Sequence, residues 1–133
     1  MQITRQADYA VRAVLYLARM NPNEKATTKE IAEAQDIPSS FLAKIIAQLS
    51  IVGLLHTTRG VRGGVTLARS PEEIPLLDVI EAIDGPILVN ECVRDNYNCS
   101  IKGCPIRTVW CEAQADLINR LQSTTFASIL APA

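Results

Sequence analysis

Along the first fifty positions, apolar residues recur at the three- and four-residue steps of helices rather than in alternation. Ala7, Ala10, Val11, Val14, Leu15, Leu17 and Ala18 fall on one face of a helix expected over about residues 4–20, which Asn21-Pro22-Asn23 stops. Thr27-Thr28-Lys29-Glu30 reads as a capping box, in which the Thr27 hydroxyl accepts from the third backbone N–H while Glu30 reaches back. It opens a short helix through Ile31, Ala32 and Ala34 to about Gln35. Asp36-Ile37-Pro38 makes a turn. A third helix follows from Ser39 to near Val52, with Phe41, Leu42, Ile45, Ile46 and Leu49 expected on its apolar face.

The period then shortens to two. Residues 54–58 and 65–69 are rich in β-branched side chains and flank Arg59-Gly60-Val61-Arg62-Gly63-Gly64, a hairpin signal. Another helix is expected over about residues 76–83, closed by Asp84-Gly85-Pro86. Residues 86–104 show no period. Pro105 suits the first position of a long helix to about Gln122, along which Ile106, Val109, Trp110, Ala113, Leu117 and Leu121 form an apolar stripe. The pattern predicts a mainly α fold, a winged helix-turn-helix with a small two-stranded β wing and a long C-terminal helix. Its expected divisions are a DNA-binding domain over 1–85, a cysteine-rich loop over 86–104, and a dimerisation helix with a short tail over 105–133.

Composition narrows the class. In 133 residues, 48% are hydrophobic and 20% charged, a globular balance that argues against disorder. No apolar run approaches the ~18 residues of a membrane span, and no signal-peptide pattern opens the chain, so a cytoplasmic protein without a membrane partner is expected. The net charge of −1 conceals a split. Residues 1–70 carry nine basic and five acidic side chains, whereas residues 71–133 carry four and nine. Between Asp36 and Glu72 there is no acid at all, only Lys44, Arg59, Arg62 and Arg69. Because screening hides charge beyond ~8 Å, this local field governs phosphate attraction.

Chemistry follows from position. Ser39, Ser40 and Lys44 open the third helix, where a helix-turn-helix meets base edges and phosphates; one of the two serines is also expected as the N-cap. Arg59, Gly60 and Arg62 put guanidinium groups on a slender hairpin tip suited to a minor groove. His56, the only histidine, reads as a packed or surface residue. The four cysteines, Cys92, Cys99, Cys104 and Cys111, fall in one stretch with spacing C-x6-C-x4-C-x6-C. Clustered thiols in a reducing compartment leave open an iron–sulfur cluster, zinc, or thiol–disulfide switching. The missing close C-x2-C pair counts against structural zinc, and loop-borne cysteines at longer spacing suit a cluster. An enzyme or electron carrier lacks support, since no Cys–His pair at plausible spacing and no phosphate loop is present.

In order and spacing, Gln6-Ala7-Asp8-Tyr9-Ala10-Val11-Arg12, Pro38-Ser39-Ser40-Phe41-Leu42, the 59–64 hairpin, Val79 to Pro86, and Cys92, Cys99 and Cys104 resemble the Rrf2 family of winged-helix regulators, which includes iron–sulfur sensors. Trp110 also falls where many members carry a tryptophan. The resemblance implies a homodimeric transcriptional regulator. Its grip on a palindromic operator in double-stranded DNA would follow a 2Fe–2S or 4Fe–4S cluster, that is, redox, nitric oxide or iron–sulfur status. The alternative is a cluster-free member that senses oxidants through its thiols.

Two departures bear on the ligands. IscR-like members place a histidine three residues after the last cluster cysteine; here that residue is Arg107, which has no lone pair to give. NsrR-like members take an aspartate from the partner's first helix, and Asp8 matches that position, although an acid in a first helical turn is also favoured by the helix dipole. Cys111 is the other candidate, with a small apolar place in the dimer seam as its plainer reading. A glutamate that the family carries before Lys44 is replaced by Ala43, which implies a different operator preference.

Overall fold

A computed structural model of the chain describes residues 2–94 and 100–132. Six α-helices and one hairpin are formed among them: α1 (Arg5–Ala18), α2 (Thr28–Gln35), α3 (Ser39–Ile51), β1 (Leu55–Thr58), β2 (Gly64–Leu67), α4 (Leu76–Asp84), α5 (Pro105–Ser123) and α6 (Phe126–Leu130). Short 3-10 turns cover Pro71–Glu73 and Glu91–Val93. The mainly α winged-helix class expected from the sequence is the one observed, and none of these helices is long and apolar enough to cross a membrane.

Local chemistry explains the helix starts. Thr4 caps α1 by accepting from the Ala7 N–H at 3.1 Å, and its own N–H and hydroxyl donate to the Asp84 carboxylate. The first residue before α1 is thereby tied to the last residue of α4. Thr27 caps α2 as expected, accepting from the Glu30 N–H at 3.1 Å. At α3 the expectation fails: Pro38 holds the cap position without a side-chain bond, and Ser39 is already the first helical residue. The turn before it is made by Asp36 in the left-handed region (φ 53°), a conformation that aspartate tolerates better than most residues.

The core lies where α1, α3 and α4 meet. Ala7, Ala10, Ala13 and Val14 of α1 are fully buried, as are Leu42, Ile45 and Leu49 of α3, Ile31 of α2 and Val79 of α4. The alanines let the helices approach closely, and each buried aliphatic side chain contributes roughly 1.5–3 kcal/mol. Phe41 does not join them. It is exposed, the reverse of its expected place on the apolar face.

In the wing, Leu55 pairs with Leu67 and Thr58 with Gly64, and Val65 exchanges two backbone bonds with Ala26 ahead of α2. A side chain at Gly63 would put Cβ 2.1 Å from the Thr58 carbonyl, and Gly60 needs φ 103°. The glycines are thus required by the turn itself.

The C-terminal tail departs most from expectation. It forms α6, opened by a capping box between Thr125 and Ser128. Phe126 is fully buried in the winged-helix core, and its N–H donates to the Ile74 carbonyl at 3.1 Å. The chain therefore ends on the body with which it began. The last turns of α5 follow suit: Leu117, Ile118 and Leu121 pack on Leu77, Ile80 and Ile87.

Candidate nucleic-acid interface and cysteine site

Every residue proposed for DNA contact lies on the surface. Ser39, Ser40 and Lys44 are exposed on the N-terminal half of α3, and Arg59, Gly60 and Arg62 on the hairpin tip. Among the described residues Lys44, Arg59 and Arg62 form no ion pair, so their charge is available to a polyanion. Arg69 differs, because Asp78 of α4 holds it at 3.6 Å. The sequence reading missed three groups here: Phe41 and Gln48 on the outer face of α3, and Val61, fully exposed between the two wing arginines. No signal in the sequence flags them, because their exposure is set by how the helices pack.

The cysteine segment is built differently. Cys99 lies outside the described residues. Cys92 sits in the Glu91–Val93 turn and Cys104 at the N-cap of α5, both half-buried free thiols. Two side chains of α5 hold the incoming strand. Gln114 accepts from the Val89 N–H at 2.8 Å and donates to the Ile87 carbonyl, while Arg107 donates through Nε to the Cys92 carbonyl at 2.8 Å. Arg107, unable to ligate metal, thus fastens the segment that carries a candidate ligand. Neither residue's role was legible beforehand, since glutamine and arginine at helical spacing read as a solvated face.

Helical geometry places Cys111 between these anchors. It is four residues after Arg107 and three before Gln114, on the stripe facing residues 87–92, and it is half-buried. That is away from the expected seam. The seam itself divides: Ile106, Val109 and Trp110 remain exposed, whereas Leu117 and Leu121 cover the body of their own chain. Among the described residues no three His, Cys, Asp or Glu side chains converge as a metal-binding group.

Asp8 is exposed in the first turn of α1. Its carboxylate lies 3.3 Å from Nε of Arg12, close enough for ion pairing but too poorly aligned for a hydrogen bond. Arg12 lies over the Tyr9 ring, 4.9 Å from its centroid, and donates through a terminal nitrogen to the Gln35 carbonyl at 2.8 Å. Gln35 is the last residue of α2, just before the helix-turn-helix turn. Two contacts therefore separate Asp8 from the element that orients α3. A cavity of about 590 Å³ between the end of α1 and β2 is lined by Glu24, Glu72 and Glu73 but no thiol, and it is not this site.

A tight turn, an acid-free exposed helix and a basic two-stranded wing define a winged helix-turn-helix DNA-binding protein, the architecture of transcriptional regulators. Within that class the chain belongs to the Rrf2 family: the family model, described as an iron-dependent transcriptional regulator, matches residues 3–132. The chain is 30% identical over 132 residues to the HTH-type transcriptional regulator NsrR of Shouchella clausii, covering 98% of this chain and 89% of that one. Its fold is similar to T. potens IscR, with a TM-score of 0.78 and 28% identity over 98% of this chain and 86% of that one. It is also similar in fold to CymR, the global cysteine regulator of B. subtilis, with a TM-score of 0.82 and 24% identity over 97% and 95% of the two chains. These relatives are regulators rather than enzymes, and so is this chain.

Proposed function

We propose that the chain is a cytoplasmic, homodimeric operator-binding regulator whose affinity for palindromic DNA is set by an iron–sulfur cluster held by Cys92, Cys99 and Cys104, with Asp8 of the partner as fourth ligand. One observation carries most weight. The Arg107 bond to the Cys92 carbonyl draws the start of the cysteine loop to the first turn of α5, whose N-cap is Cys104, so two soft sulfur donors flank one hydrogen-bonded junction. The donor chemistry therefore fits such a cluster, which when bound supplies a centre that oxidants and nitric oxide attack.

What the chain's own residues do is mechanical. An Asp8 engaged elsewhere releases Arg12 from its ion pair, and Arg12 also braces the end of α2 at Gln35. Ligation thus alters the restraint on the turn that aims α3. The exposed Ile106, Val109 and Trp110 suit a helix pairing with its symmetry mate, which a reader of paired half-sites requires. Ser39, Ser40 and Lys44 would meet the major groove, and Arg59 and Arg62 the minor groove.

The half-buried free thiols Cys92, Cys104 and Cys111 favour one second reading, a cluster-free thiol sensor. Iron and acid-labile sulfide measured on anaerobically purified protein separate the two. Both present, and lost together in Cys92→Ser, is the expected result. Protein free of iron and sulfide that still binds its operator in a thiol-dependent way would establish the second reading instead.

A further inference from the structure

The outer face of α3 is notable for the chemistry it lacks. Ser40, Lys44 and Ile51 form the centre of its exposed stripe, with Phe41 and Gln48 along one edge and Ala43 and Ala47 along the other. The stripe offers one cation, a hydroxyl and an amide; the remainder is aromatic and methyl carbon. Only Lys44 could address guanine and only Gln48 adenine, and the stripe has no carboxylate for the cytosine amino group. Phe41, in the first turn where such helices meet base edges, keeps 45% exposure while its neighbour Leu42 has none.

A phenyl ring neither donates nor accepts, and in the major groove only thymine presents an apolar group, its 5-methyl. The surroundings favour duplex DNA as the occupant of this face. No acid occurs between Asp36 and Glu72, and Lys44 one helical turn from the ring and Arg59 and Arg62 on the wing are exposed. We infer that Phe41 is a specificity-determining residue that reads thymine methyl groups in each half-site, with the methyls of Ala43 and Ala47 extending the contact. This rests on α3 being the DNA-reading helix, as proposed above, and adds which chemical feature of the operator it reads.

Uracil tests this directly, since it pairs as thymine does but lacks the methyl. The full chain, anaerobic and both with and without iron and sulfide restored, selects a duplex from random-sequence DNA. Affinity is then measured in the better-binding state for that duplex and for its uracil-substituted copy. The wild type is expected to bind the uracil copy about tenfold more weakly, on the scale of a lost base contact. Phe41→Ala should lose about the same factor on the thymine duplex and be indifferent to the exchange. Phe41→Leu should keep part of the preference. Because the ring is exposed, Phe41→Ala should retain the wild-type melting temperature and the wild-type affinity for random DNA, which phosphate contacts supply. Equal wild-type affinity for the two duplexes, or full discrimination in Phe41→Ala, overturns the inference while leaving the DNA-binding reading intact. Failure of the wild type to select any duplex in either state overturns both.

Discussion

The winged-helix body and the cysteine segment are held together by different physics. In the body, fully buried side chains from α1, α2, α3, α4 and α6 interlock, so its shape is over-determined by packing. Around Cys92 and Cys104 little is buried among the described residues. No residue of α5 is fully buried, and beyond the packed Ile87 the segment leading to Cys92 is tied down by Gln114 and Arg107. Hydrogen bonds of this kind contribute about 1 kcal/mol each, somewhat more where one partner is charged. A rigid body is thus joined to a lightly held cysteine segment, whose described residues can reorganise without unfolding the body.

The first way to break that contrast is to attack the body where the chain returns to it. Phe126→Ala should destabilise the protein by roughly 3–5 kcal/mol, as for other fully buried phenylalanines, and lower the melting temperature by ten degrees or more. A shift of only a degree or two in thermal denaturation would mean that α6 merely decorates the surface.

Effects on DNA should come next in size. Arg59→Ala should weaken operator binding by ~1–3 kcal/mol if the guanidinium enters a narrow minor groove, with melting unchanged. Unaltered affinity in fluorescence anisotropy at physiological salt would remove the wing from the interface. Gly63→Ala is the sharper structural companion, because its Cβ has no room beside the Thr58 carbonyl and the hairpin tip must be rebuilt.

The fourth ligand comes after these. Asp8→Ala and Cys111→Ala, each reconstituted anaerobically, should differ: the first alters the cluster's absorbance and circular dichroism spectra, and the second leaves them unchanged. The reverse result would put Cys111, already on the stripe facing the Cys92 strand, in place of the aspartate.

The smallest effect probes the segment's fastening. Gln114→Ala should lower global stability by at most about 2 kcal/mol, the worth of its two bonds, and speed amide exchange first at residues 87–93. Exchange that stays slow there would show that burial, not this side chain, holds the strand.

The same contrast explains what could be read from sequence. Body helices were legible because their apolar spacing reflects one buried face each, as Ala10, Val14 and Leu17 or Leu42, Ile45 and Leu49 show. Phe41 broke the rule because it shares the composition of the buried face but not its position. The tail was illegible for a different reason: five helical residues hold too few turns for a period, and the burial of Phe126 depends on distant Ile74. Along α5 a single apolar stripe was expected to serve one seam, yet its later turns cover α4, and periodicity cannot say which neighbour a face will meet. The roles of Arg107 and Gln114 reside in bonds to backbone groups, which leave no mark on a hydrophobic pattern.

The central claim is that the state of the cysteine site sets operator affinity without remaking the body. Its most direct test titrates operator binding against cluster occupancy in one anaerobic preparation, with circular dichroism recorded at each point. Affinity should change by about tenfold or more between the cluster-loaded and cluster-free protein, a coupling of ~1–3 kcal/mol, while helix content stays constant. Operator affinity that is the same at zero and full occupancy would contradict the account.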